Sequence, residues 1–179
     1  MNIFALSIDP IISAQLMCDK HVRSKLIVES AQMLANCYKL ETLKYAPYTQ
    51  KGTPRKYSYY NHPCSKWARE TYGNHRWLLS HAHALVNERN YRWPNSTKHF
   101  SEGFLTWCSQ YFPDNLDKES NHLTDFYQAF GKENEHLKEA CPVTGYRRYY
   151  NEFKRYTMEM TWAKRGTPDF FKLFTETHD

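Results

Sequence analysis

The longest stretch without a helix-breaking residue most limits what this chain can fold into. No glycine or proline occurs between Pro10 and Pro47. Asp9 and Pro10 provide a capping acceptor and a first-turn proline, a common way for a helix to begin. The sequence therefore predicts one long helix, or two abutting helices, over residues 11–43.

Glycine and proline divide the rest of the chain into shorter segments with helical character. Residues 1–8 are predicted to be a short strand or an extended segment, and loops are predicted over 45–63 and 114–119. Further helices are predicted over 64–72, 74–92, 97–112, 123–130, 132–140 and 144–165, with a final turn from Thr167 to Phe174. Without an internal repeat or linker, the pattern predicts a single mostly α domain, 1–179: a compact helical bundle with a short N-terminal extended segment.

Length and composition narrow the class of protein. A chain of 179 residues can bury a hydrophobic core without disulfides or metals. Its five cysteines are odd in number and form no C-x-x-C pair, which argues against a disulfide framework and a thiolate zinc site. No apolar run reaches the roughly 18 residues of a membrane span, and no basic stretch precedes the first apolar residues. We expect a cytoplasmic protein.

The net charge of +5 is unevenly distributed. Residues 111–140 carry 3 basic and 7 acidic side chains, whereas every other part of the chain is basic. A basic excess interleaved with tyrosine and tryptophan is typical of a protein that binds phosphate groups. The same excess is equally typical of an ordinary solvated surface, so charge alone does not identify a partner.

A narrow polar column runs along the first predicted helix. At about 100° per residue it lies beside an apolar stripe that includes Val22 and Leu26. The column is formed by His21, Lys25, Glu29 and Gln32. One interpretation is an internal salt bridge between Lys25 and Glu29, and the other is the wall of a site that holds an acid/base pair.

The predicted helix 74–92 has a similar face, made of Trp77, His81, Glu88 and Arg92. The two polar faces either converge on one pocket or lie exposed. A metal site built from His21, Glu29, His81 and Glu88 lacks the H-E-x-x-H spacing, so we expect no metal ion and no cofactor.

Two further segments contain candidate ligand-binding residues. His62 opens a helix that carries Trp67 beside a loop rich in tyrosine and lysine, and an exposed helix start favours anions. An ordinary capped helix is the alternative. In the C-terminal segment cations alternate with aromatic rings, as on a nucleobase platform. Because several of those rings have core spacing, we retain only Arg147, Tyr150 and Lys154.

Four segments resemble a family of small bacteriophage proteins over nearly the whole chain. They are Cys18-Asp19-Lys20-His21-Val22, Glu29-Ser30-Ala31-Gln32-Met33-Leu34, Asn61-His62-Pro63-Cys64 with Trp67, and Tyr146-Arg147-Arg148-Tyr149-Tyr150. More distantly, the chain is similar to the phage-type pyrimidine-dimer DNA glycosylases, which are compact and mostly helical. The shared features are an essential Glu on the first helix, an Asn-His-Pro segment and an aromatic-rich C-terminal end.

This resemblance implies cleavage of an N-glycosidic bond in DNA without a cofactor. An amine attacks C1′ and a carboxylate assists, giving an imine that permits strand cleavage. Glu29 matches the carboxylate. Those glycosylases use an N-terminal amine behind a small residue, whereas this chain reads Met1-Asn2, so Lys25 is our candidate amine and His21 completes the catalytic set. The candidate binding residues are Gln32, His62, Trp67, Trp77, His81, Arg92, Arg147, Tyr150 and Lys154.

A different class of function stays open. Polar columns on otherwise apolar helices also fit a non-catalytic nucleotide-binding protein that sequesters a phosphorylated small molecule, such as a host immune signal. A structural role in a virion is a third option. The sequence also leaves open whether a homodimer completes the site. DNA or a nucleotide is the expected partner in both leading hypotheses.

Overall fold

The structure is a computed structural model that describes residues 1–172. In chain order its helices are α1 (Pro10–Leu16), α2 (Leu26–Ala35), α3 (Leu40–Leu43), α4 (Pro63–Ala68), α5 (Tyr72–Arg92), α6 (Glu102–Gln110), α7 (Pro142–Tyr149), α8 (Arg155–Thr157) and α9 (Asp169–Lys172). π-helical turns at His21–Lys25 and Tyr150–Lys154 run directly into α2 and α8, and a 3₁₀ turn spans Lys132–Leu137. The mostly α prediction is confirmed, and the part of the chain described contains no strand.

Helix α5 lies at the centre of the bundle and packs against α1, α2, α4 and α6. The Thr71 hydroxyl caps it by accepting a hydrogen bond from the Asn74 N–H at 3.0 Å. Leu78, Ala82 and Leu85 are completely buried along its core side. The predicted helix 74–92 therefore forms as expected, with one extra half-turn at its start.

The prediction of one long helix or two abutting helices over 11–43 is wrong, because tertiary contacts interrupt this segment twice. The backbone becomes extended at Met17, and the Asp19 carboxylate accepts hydrogen bonds from the Ala163 N–H and from Arg92. A second break follows Ala35, and the Lys39 N–H then donates to Asp114. Contacts between residues more than 70 positions apart thus override a locally uninterrupted helical pattern.

Several later helices are shorter than predicted. Residues 123–130 are irregular rather than helical, because the Thr124 N–H donates to the Asn74 side chain and holds the segment along α5. The segment 132–140 contains only the 3₁₀ turn, and the helix predicted over 144–165 ends at Thr157. Beyond it the chain turns back, and the Trp162 indole N–H donates to the Leu16 carbonyl. Helix α9 fits the predicted final turn, whose end at Phe174 lies outside the described residues.

A buried ionic network joins the first interruption to α5. Arg92 is 2% exposed, and it donates to Glu88 at 2.7 Å and to Asp19 at 2.9 Å. Its guanidinium also donates to the carbonyls of Met17 and Gln15, and Arg165 donates to Glu88 at 2.8 Å. Arg92, predicted to bind a ligand, therefore has all its visible contacts within the fold.

Substitution Arg92→Leu is expected to lower the free energy of unfolding by about 3–5 kcal/mol, because it leaves Asp19 without its cation and removes one of the two cations that pair with the buried Glu88. Urea denaturation followed by circular dichroism measures the change. The control is Arg148→Leu, which removes a 32% exposed guanidinium paired with Glu139 and Glu152, and is expected to cost about 1 kcal/mol or less. Equal losses in the two variants would contradict a structural role specific to Arg92.

Candidate functional site

Two π-helical turns pack against each other and define the candidate site. His21 begins one turn and Tyr150 begins the other, and the imidazole Nδ1 and the phenol hydroxyl are hydrogen-bonded. Both side chains are completely buried. Lys25 and Lys154 end the two turns. π-helical turns are rare and occur often at functional sites, so this junction is the first place to look for chemistry.

Phe4 connects the N-terminal extended segment to this junction. Its ring centroid lies 4.4 Å from that of His21 and 5.5 Å from that of Tyr150. Its backbone φ is 51°, in the left-handed region that bulky residues seldom adopt. Such a conformation costs about 1–3 kcal/mol and persists only where the surrounding packing enforces it. The packing therefore holds residues 1–6 firmly beside the two turns.

The Glu29 carboxylate lies where this N-terminal segment meets α2. One oxygen accepts a hydrogen bond from the Asn2 N–H at 2.9 Å, and the other lies 3.9 Å from the α-amino group of Met1. Its side chain is 16% exposed. Within residues 1–172 no ion pair joins Glu29 to Lys25, whose side chain is exposed, so the internal Lys25–Glu29 salt bridge does not form.

The α-amino group of Met1 opens towards a groove. The Met1 side chain is only 1% exposed although the residue as a whole is half-buried, so its accessible part is the backbone. Met1 and His62 line a groove of about 360 Å³ together with Phe130 and Lys138. His62 caps α4 by accepting from the Cys64 N–H, and burial, followed by the charge of the Met1 amine, lowers its pKa.

Lys154 brings a second amine to the site. Its ammonium lies over the rings of Tyr149, Phe153 and Phe4, at 5.1, 5.2 and 5.8 Å from their centroids. Burial lowers the pKa of Lys154, and the nearby charge of Lys25 lowers it further, whereas the charge of Glu29 acts in the opposite direction. A half-buried lysine beside a second cation is the usual setting of a nucleophilic amine.

His21 contributes a neutral ring. Burial, with smaller effects from Lys25 and Lys154, lowers its pKa to about 3, and Nε2 has no hydrogen-bond partner in the described part of the chain. A group with so low a pKa is poorly suited to proton transfer near neutral pH. The His21 ring contacts Tyr150 and Phe4 within the core of the junction.

The polar face of α5 does not meet the polar column of α2. Trp77 donates to the Ile8 carbonyl and stacks on His81, whose ring contacts the Pro10 carbonyl at 2.9 Å. Trp67 packs edge-on against Trp77. These three candidate ligand residues are at most 7% exposed and stabilise the contact between α1, α4 and α5.

The remaining candidates lie closer to the site. Arg147 donates to the Leu6 carbonyl at 3.0 Å, and so it holds the N-terminal segment in place. Gln32 is half-buried on α2, one turn beyond Glu29.

The structure therefore gathers His21, Glu29, Tyr150 and Lys154, with Lys25 at the rim. Met1, Asn2 and Phe4 also lie at the site but were not predicted from the sequence. No periodic pattern links residues 1–4 to a partner such as Glu29, which is 27 positions from Asn2.

Across residues 1–172, no group of three or more His, Cys, Asp or Glu side chains is arranged to hold a metal ion. In the same part of the chain no helix has the length and apolarity needed to cross a membrane. The chain matches no protein-family profile, no curated protein and no solved structure.

Proposed function

We propose that this protein cleaves an N-glycosidic bond in DNA, with Glu29 as the assisting carboxylate and Lys154 as the attacking amine. The observation that supports this is the junction of the two π turns. Beside it, a partly exposed carboxylate, held by the Asn2 N–H, is near enough to a half-buried amine set over aromatic rings for its charge to act on the pKa of that amine. The resemblance to the pyrimidine-dimer glycosylases calls for the same two groups, a carboxylate and an amine.

The chemistry that these groups support follows in two steps. Once it has lost its proton, the Lys154 amine forms a bond to C1′ of the target nucleotide while the bond from C1′ to the base breaks, and the base leaves with the electron pair and is then protonated by water. Glu29 takes the proton released by the amine and returns it to the sugar ring oxygen as the ring opens. The product is an imine between Lys154 and the sugar, from which the 3′ phosphate can leave by elimination.

The cations of the site fit a DNA substrate. Lys25 is the last residue of its π turn and its side chain is exposed, so it can contact a phosphate next to the target nucleotide. The half-buried ring of Phe153, which stacks on the buried Tyr149, offers a surface for an extruded base, which such enzymes take out of the stack. We propose that the protein acts on DNA in the cytoplasm of the cell in which it is made.

Borohydride trapping tests the proposal. The protein is incubated in EDTA with ultraviolet-irradiated DNA or DNA with modified bases, and borohydride reduces any imine to a stable adduct. We expect an adduct with the wild-type protein and with the control Lys164→Arg, and none with Lys154→Arg, which keeps the charge but removes the nucleophile. Absence of both adduct and abasic product on all these DNAs would contradict glycosylase activity.

The second candidate is capture of a phosphorylated nucleotide without catalysis. A cavity of about 630 Å³ lies beside the first π turn and is lined by Lys20, Arg23 and Lys25, with Ser24 among them. Asp19, also in its wall, is neutralised by Arg92. A thermal-shift screen with nucleotides tests this function: a ligand at 100 times its Kd stabilises the protein by about 2.7 kcal/mol. A melting point raised by DNA and by no nucleotide would contradict it.

A further inference from the structure

The part of the chain that leads into α4 and includes it has an unusual charge and aromatic content. Residues 42–69 contain no Asp or Glu. The basic residues of this segment are Lys44, Lys51, Arg55, Lys56, Lys66 and Arg69. Within residues 44–60, which we term the tyrosine loop, tyrosines are interspersed with the first four of these cations.

The tyrosine loop exposes its rings instead of burying them. Tyr45 is 84% exposed, Tyr59 is 68% exposed and Tyr48 is 57% exposed. Each ring lies within a few residues of a lysine that is itself exposed. Exposed aromatic faces interspersed with cations form the kind of surface that binds unpaired nucleic-acid bases and their phosphates.

The loop is ordered although its rings are exposed. The Thr49 N–H donates to the Thr53 carbonyl at 2.9 Å and closes the tip of the loop. Arg55 donates to the Pro47 carbonyl at 2.9 Å while its guanidinium stacks 3.9 Å above Phe104. These contacts fix the loop before any ligand binds, so little conformational entropy is lost on binding.

The loop leads directly to the candidate site. It ends next to His62, which lines the same groove as Met1. The charge of the Met1 amine acts on the His62 ring, and the same amine lies 3.9 Å from Glu29. Because the His62 N–H donates to the Tyr59 carbonyl at 2.9 Å, a strand lying on Tyr59 can reach the groove that Met1 lines.

We propose that the tyrosine loop binds single-stranded DNA, with bases stacked on Tyr45, Tyr48 and Tyr59 and phosphates on the loop lysines. This inference rests on the proposed function and specifies its substrate as DNA that presents unpaired nucleotides. Separated tyrosine faces need bases whose own faces are free, which a duplex does not offer. The surface therefore selects single strands over duplex DNA.

Binding measured without chemistry tests this inference. In a Glu29→Gln background, fluorescence anisotropy follows a labelled 12-nucleotide oligothymidine and a duplex of the same length. We expect the single strand to bind more tightly, and the double substitution Tyr45→Ala/Tyr59→Ala to weaken its binding by about tenfold or more. The control Tyr91→Ala/Tyr156→Ala alters two tyrosines that are 49% and 75% exposed elsewhere, and is expected to leave binding unchanged.

Equal weakening by the two double variants, or duplex DNA bound as tightly as the single strand, would overturn the inference. This binding experiment and the imine-trapping experiment can fail independently of each other. Tight oligothymidine binding that needs Tyr45 and Tyr59 would support the loop even if no imine is trapped. An imine trapped equally well by the Tyr45→Ala/Tyr59→Ala variant on single-stranded substrate would overturn the loop and leave the glycosylase in place.

Discussion

Replacing Glu29 with glutamine is expected to lower the rate of base release by about 10²- to 10⁴-fold while the fold is retained. Glutamine is the same size, and its side-chain oxygen can still accept the hydrogen bond from the Asn2 N–H. It cannot take up a proton from the attacking amine. Single-turnover assays on damaged DNA measure the rate, and circular dichroism melting measures the stability.

The control for this substitution is Glu41→Gln, an exposed carboxylate on α3, which is expected to leave the rate unchanged. Two outcomes would contradict a catalytic role for Glu29. One is a folded Glu29→Gln protein that releases the base at the wild-type rate. The other is a protein that unfolds, which would make the contacts of Glu29 with Met1 and Asn2 structural.

Acid is expected to unfold this protein at roughly pH 5, because four buried histidines stay neutral in the fold. Burial lowers the pKa of His21 to about 3 and that of His75, His81 and His99 to about 4, against about 6.5 in an unfolded chain. Below pH 6.5 the unfolded chain therefore binds more protons than the fold, so stability is fully present above that pH and falls as the pH falls. Each histidine contributes a slope of up to about 1.4 kcal/mol per pH unit.

The substitution His75→Phe is expected to move the midpoint of acid unfolding down by about half a pH unit or more. It also raises stability at neutral pH, because neither ring nitrogen of His75 has a hydrogen-bond partner among residues 1–172. Circular dichroism followed from pH 7 to pH 3 measures the midpoint. The control His136→Phe changes an exposed ring and should leave it in place, whereas an unchanged midpoint in His75→Phe would contradict this account.

The fold could be predicted from the sequence wherever local signals decide it. Helix α5 begins at a capping threonine and ends just before Trp93-Pro94, and both signals are visible in the residues themselves. The interruption at Met17 has no such signal, since it depends on Asp19 contacting Ala163 and Arg92 from distant parts of the chain. The same reason explains why residues 123–130 are irregular against α5.

The candidate site could be predicted in part. Spacing along the first predicted helix placed His21 and Glu29 on one face, and both belong to the site. It could not reveal that a π turn shifts the register at Lys25, or that Lys154 arrives from the other end of the chain. Hydrophobic spacing also cannot separate a buried structural group such as Arg92 from a ligand-binding group, because both lie on the inner face of a helix.

Locating the trapped adduct within the chain shows directly which amine attacks the sugar. After borohydride reduction, proteolysis and mass spectrometry identify the amine that carries the sugar. We expect the adduct on the peptide that contains Lys154. An adduct on the α-amino group of Met1 would keep Glu29 as the carboxylate while replacing Lys154 as the nucleophile. An adduct only on amines remote from Glu29, or none while base release proceeds, would contradict a carboxylate and amine acting together at the junction of the two π turns.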